Sequence, residues 1–209
     1  MKKIILIFSA ILLLSSCIGV KSNISINADN SGILVFEYRI SQMFANMGNP
    51  EQENGSSDPP LPISKENLAA SVEGIEGLEL RNVTHEENET DIIITAEIMF
   101  DSIDALAKSS LFESMPISYQ KIGEDNIFKQ QISEASEEEV DEESIQMIEG
   151  LFTGYEMIFT VNTPTQIKEY SVEEYSLGEL SAENKTATYR ISIAELMKLR
   201  EKTELIIKW

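Results

Sequence analysis

The sequence predicts an α+β domain, a mostly antiparallel sheet built from hairpins with three to four helices packed on one face. Apolar residues alternate in paired short runs separated by polar turns, which is the pattern of β-hairpins. Helix-capping signals open the stretches between those pairs. The turns inside each pair are too short for parallel neighbours, which need long crossovers.

The elements follow in chain order. Ile24 and Ile26 alternate with Ser25 and Asn27 and predict a short strand. The cluster Asn27-Ala28-Asp29-Asn30-Ser31-Gly32 predicts a turn. Leu34, Phe36, Tyr38 and Ile40 alternate over the returning strand. Residues 46–63 hold four of the six prolines and predict a mobile surface loop inside the domain. Ser64 caps a short helix with Leu68, Val72 and Ile75 on one face. Leu78–Val83 and Thr90–Phe100 form a second hairpin around the acidic turn His85–Glu89. Ile93, opposite the Ile92, Ile94, Ala96 and Ile98 face, marks the later strand as central.

Asp101 or Ser102 opens a second helix with Ile103, Leu106, Ala107, Ser110 and Leu111 in its stripe. Ile117–Gln120 and Asn126–Ile132 make a third hairpin around Gly123-Glu124-Asp125. Ser136-Glu137-Glu138-Glu139 is a capping box for a third helix. Val140, Met147, Ile148, Leu151 and Phe152 are its buried stripe, and Gly154 is its stop. Strands follow at Tyr155–Asn162, Gln166–Tyr170 and Thr186–Ile191. Ser192-Ile193-Ala194-Glu195 caps a last helix to about Arg200, and Thr203–Trp209 closes the fold.

Composition narrows the function. The chain has 209 residues, 42% of them apolar, enough for one ordinary core. It carries 36 Asp+Glu against 16 Lys+Arg, a formal charge of −20, which has the wrong sign for neutralising nucleic-acid phosphates. One Cys and one His exclude a disulfide framework and a Cys/His zinc site, and no metal or cofactor is expected.

The N-terminus gives an address. Lys2 and Lys3 precede an apolar run from Ile4 to Leu14, too short to span a bilayer and matched to a secretory signal. Residues 1–16 are therefore expected to be a signal peptide, followed by a lipidated Cys17 and tether over 17–23 and a single domain over 24–209. The exit Leu14-Ser15-Ser16-Cys17 resembles a bacterial lipobox: an aliphatic residue, two small ones, then Cys. That resemblance implies a diacylglycerol on the Cys17 thiol, cleavage before Cys17, and acylation of the freed amine by a fatty acid such as palmitate. Each buried CH₂ adds about 0.8 kcal/mol, so two or three chains anchor durably. Removal of Lys2 and Lys3 leaves 14 basic against 36 acidic residues, a formal charge near −22. Such a surface is repelled as a whole by anionic headgroups.

The lipobox, the strand–turn–strand from Ile24 to Tyr38, the strand into proline at Met157–Pro164 and the later strand Thr186–Ile191 together resemble the LppM-like lipoprotein domain, the DUF3153-type group of bacterial envelope proteins. Two departures stand out: Thr165 follows Pro164 where the group often has glycine, and Tyr189 stands where it often has tryptophan. The resemblance implies a membrane-anchored extracytoplasmic domain that contacts lipid or an envelope protein, and it supplies no catalytic residues.

Local chemistry adds little. Asn27, Asp29, Ser31 and Gly32 have calcium-loop spacing, but Tyr38 occupies the position that needs an acid, so a hairpin turn is expected. Glu137, Glu138, Glu139, Asp141, Glu142 and Glu143 point in different directions on a helix and make a poor cage. His85 has no evident nucleophile or orienting acid. Three Asn-x-Thr sequons, at Asn82, Asn88 and Asn184, are read as chance. Met147, Phe152 and Met197 are expected in the core, with a lipid pocket as the alternative. The expectation is a non-enzymatic envelope lipoprotein acting as a binding or accessory module. The alternatives are a structural surface lipoprotein and an acid-dependent hydrolase. A cavity of several hundred Å³ would favour a lipid ligand, and converging carboxylates would favour the hydrolase.

Overall fold

The structure, a computed structural model, describes residues 18–42, 65–134, 145–146, 149–150, 154–172, 178–180 and 183–209. The expected mobile loop at 46–63, the acidic run 137–143, and Met147 and Phe152 lie outside the described residues.

The expected α+β architecture is corrected: the fold is mostly β, with strands over 54% of the described residues. Its strands are β1 (Ile18–Ile26), β2 (Gly32–Ser41), β3 (Leu78–Glu87), β4 (Asp91–Phe100), β5 (Ile117–Ile122), β6 (Asp125–Ser133), β7 (Glu156–Asn162), β8 (Glu169–Val172), β9 (Gly178–Leu180), β10 (Thr186–Ser192) and β11 (Thr203–Lys208). One sheet has the order β3-β4-β2-β1-β7-β10-β9, and the other β5-β6-β11-β8. Three short helices are described: α1 (Lys65–Ala70), α2 (Ile103–Leu106) and α3 (Ile193–Leu196).

Two capping serines were legible, but the helix lengths were not; Ser64 and Ser136 lie outside the described residues. Ser102 accepts from the Ala105 amide and Ser192 from the Glu195 amide, as N-caps do. Each helix then ends after a single turn. A cap specifies where a helix starts, while propagation depends on the residues after it. The inner face of the large sheet is covered mainly by the second sheet. Leu34, Phe36, Ile98, Phe159 and Tyr189 share one core with Phe128, Ile132, Leu205 and Ile207.

Hairpin pairing is as alternation predicts. β1 pairs antiparallel with β2 from Val20↔Tyr38 to Ile26↔Gly32, and β4 lies between β2 and β3 as a central strand. His85, expected in a turn, is exposed within β3 opposite Ile94. One pairing among the described strands is parallel: β1 runs alongside β7, Val20 beside Met157 and Ile24 beside Val161.

That pairing corrects the expected tether. Residues 18–23 lie in β1, between β2 and β7. Val20 and Ser22 face the core, Lys21 is half-buried and Asn23 is exposed. A buried serine and a glycine at 19 hid the strand from a pattern based on apolar alternation.

Two local features make the large sheet sensitive to substitution. Gly32 begins β2, and a Cβ there would overlap the Ser25 carbonyl oxygen and the Phe100 ring. Asp91 begins β4 with its side chain 2% exposed and accepts from Arg39 at 2.5 Å and from Thr90 at 2.7 Å. The Arg39 guanidinium, followed by the Thr90 hydroxyl, holds the Asp91 carboxyl below the ordinary carboxylate range against the opposing effect of burial.

Gly32→Ala is expected to lower unfolding stability by about 3 kcal/mol through overpacking. Gly123→Ala, at φ 64 with open space around it, should cost about 1 kcal/mol in the same urea titration. Asp91→Ala should cost about 2 kcal/mol at neutral pH, since Arg39 loses its buried partner. Because the folded carboxyl is more acidic than the unfolded one, this contribution is complete above about pH 4 and is lost as pH falls through the folded value. The stability gap between wild type and variant should therefore narrow in acid.

Candidate functional site

Two places carry the functional reading. The expected lipobox residues Leu14, Ser15 and Ser16 and the expected lipidation residue Cys17 lie outside the described residues. What the structure supplies is their neighbour: β1 begins at Ile18, one residue after Cys17.

The second place is a cleft of about 110 Å³ where the ends of the two sheets meet. Ile26, Asn27, Ala28 and Asn30 come from the end of β1 and its turn. Tyr119 and Asn126 come from β5 and β6, Pro164 and Thr165 from the segment after β7, and Trp209 from the end of β11. The Tyr119 hydroxyl donates to Asn126 Oδ1 at 2.6 Å. The backbones of Asn126 and Trp209 bond reciprocally at 2.9 and 3.0 Å. The Tyr119 and Trp209 rings lie 6.1 Å apart at 36°. Burial, with a smaller effect from the Asp104 charge, pushes the Tyr119 phenol up. Asn30 Oδ1 is buried and has no hydrogen-bond partner among the described residues.

The cleft can hold one small group between aromatic and amide walls. Its volume is well below the roughly 300 Å³ at which ordinary ligand pockets begin. It therefore does not meet the size that would favour a lipid ligand. None of its lining residues is a carboxylate, imidazole or thiol. Next to it, Asp125 takes Lys168 at 2.6 Å and Lys208 at 3.2 Å, and Lys208 also reaches Glu169 at 3.1 Å. These lysines hold the Asp125 carboxyl below its usual range, while Glu169 and then Asp125 raise Lys208. The cluster is solvent-exposed and ties β6, β11 and β8 at their rim, where ion pairs add little stability.

The remaining sequence candidates resolve as structural parts. In the turn after β1, Asp29 Oδ1 accepts from the Ser31 amide at 3.1 Å and hydroxyl at 2.6 Å. The Ser31 hydroxyl in turn accepts from Asn27 Nδ2 at 3.0 Å. Those Ser31 bonds lower the Asp29 pKa. This is the hairpin turn expected, and Tyr38 is buried far along β2. Asn88 Oδ1 accepts from the Thr90 amide and hydroxyl and from the Asp91 amide, giving that sequon asparagine a turn-forming role. Met197, expected in the core, is 42% exposed. Among the described residues, no helix is long and apolar enough to cross a membrane.

No protein-family model matches the chain, and no curated protein matches it. The DUF3153-type membership expected from the sequence is thus not shown. Among solved structures, the chain is similar to the NMR structure of the folded domain of LppM from Mycobacterium tuberculosis. The TM-score is 0.45 at 10% identity, over 93% of this chain and 90% of that one.

The cleft was not legible in the sequence, because its walls come from segments spread between residues 26 and 209. Tyr119→Phe removes the hydroxyl from Asn126 and is expected to cost about 1 kcal/mol in denaturation. As Trp209 is the only tryptophan, its emission should report the loosened cleft directly.

Proposed function

We propose that this chain is a lipid-anchored extracytoplasmic lipoprotein of a bacterial envelope, held to the membrane through acylated Cys17 and acting as a non-enzymatic accessory module. One observation carries the reading. The only cysteine closes an eleven-residue apolar run with the lipobox order, and the folded domain starts at the next residue. A chain cut before Cys17 would thus keep all of β1.

The non-enzymatic reading is supported by the cleft, whose aromatic and amide walls suit holding a small group of an envelope partner. Groups that move protons at neutral pH are not among its lining residues. The acidity of the chain favours a protein partner with a basic face over a nucleic acid.

Intact mass and detergent partitioning test the anchor. The wild type expressed in a bacterial host should lose residues 1–16, carry two or three acyl chains and enter the detergent phase. Cys17→Ser should remain unacylated and stay in the aqueous phase. An unacylated, water-soluble wild type would overturn the reading.

A further inference from the structure

The lack of a spacer after Cys17 turns the anchor into an orientation device. β1 spans nine residues, roughly 30 Å, and runs from the anchor end of the large sheet to the Tyr119–Trp209 cleft. From Val20 onward β1 is paired on both sides, and Ile18 is held against Glu156 of β7 across a register irregularity, so the strand cannot swivel as a flexible tether would. The elements beside the start of β1 are therefore the ones set against the headgroups.

Those elements have suitable chemistry. A Cβ at Gly19 would lie 3.4 Å from the Glu156 carbonyl oxygen and 3.6 Å from the Ile193 side chain, so the first residue of α3 sits against the start of β1. Met197 follows one helical turn after Ile193, its amide bonded to the Ile193 carbonyl, and is 42% exposed. The Arg200 guanidinium curls back onto the Met197 and Leu199 carbonyls at 3.1 and 3.0 Å and has no carboxylate partner among the described residues. Residues 190–202 hold four basic and two acidic side chains, and with the glutamates those basic groups pair with, Glu149, Glu156 and Glu204, the corner is close to neutral in a chain of −20. Arg190 pairs with Glu156, Lys198 with Glu149 and Lys202 with Glu204. An exposed thioether beside a guanidinium is a pairing suited to the membrane interface. The same end of the sheet also carries the acidic β3–β4 turn, with Glu86, Glu87 and Glu89. It lies three strands from β1, about 14 Å away, and anionic headgroups repel it.

We propose that the lipid anchor seats the domain on end and tilted, with the Ile193–Met197–Arg200 corner against the bilayer and the Tyr119–Trp209 cleft pointing away from it. The proposal rests on the lipid-anchor reading above and names the face that anchor presents to lipid. It also opposes a simple rival, since Ile122, at the far end of β5, is the more exposed apolar side chain at 60%.

The test uses acylated full chain in phosphatidylethanolamine–phosphatidylglycerol vesicles containing a spin-labelled lipid. Met197→Cys and Ile122→Cys are each labelled with a fluorophore, the acylated Cys17 thiol being blocked. The Met197 label should be quenched at least about twofold more than the Ile122 label, since interfacial side chains reach about 5–10 Å into the headgroup region. A Gly-Ser spacer inserted between Cys17 and Ile18 should erase most of that difference. Acylated protein with equal quenching, or with Ile122 quenched more, overturns the orientation and leaves the anchor intact. Unacylated protein in the mass spectrum overturns both.

Discussion

The parallel seam between β1 and β7 is the contact on which the rest of the fold depends. β1 joins the N-terminal strands β2, β4 and β3 to the C-terminal strands β7, β10 and β9. Without it, the large sheet is two separate pieces, and the core behind it loses Val20, Ile24 and Ile26. The seam is long-range, with Lys21 beside Ile158 and Asn23 beside Thr160, so its closure entropy must be met by burial on the inner face. On the outer face, Asn162 Nδ2 donates to Asn23 Oδ1 at 2.7 Å and to Ser25 Oγ at 3.1 Å, which locks the register from the solvent side.

The same strand links fold to function. A lipid on Cys17 would pull on the central strand directly, and each end of β1 then has a distinct role. One end meets α3 and the exposed Met197, and the other ends in the turn that lines the cleft. On the proposed accessory role, a domain anchored this way would present a fixed face to a partner.

What was legible in the sequence follows from how local each signal is. The β2 and β4 alternations, Leu34 to Ile40 and Ile92 to Ile98, predicted their strands because one face is buried and the residues obey period two. Ser102 and Ser192 predicted helix starts because capping is decided within four residues. Missed features depended on distant partners or broke the pattern. Ser22 and Gln130 turn inward among apolar neighbours, and neither Ser22 Oγ nor Gln130 Oε1 has a hydrogen-bond partner among the described residues. Assignment of β6 and β11 to a second sheet depends on pairs such as Leu205↔Gln130, and no local pattern reports which sheet a strand joins. The lipobox reading rests on four contiguous residues, Leu14 to Cys17, while the walls of the cleft come from segments spread along the chain.

Amide hydrogen exchange along β1 in the mature full chain tests the central claim most directly. If residues 18–23 belong to the sheet, amides from Val20 to Asn23 exchange as slowly as those of Ile24 to Ile26 and of their β7 neighbours, near the global unfolding limit. Rapid exchange through Asn23, with protection starting only at Ile24, would restore a flexible tether and contradict both the closed seam and the seated domain.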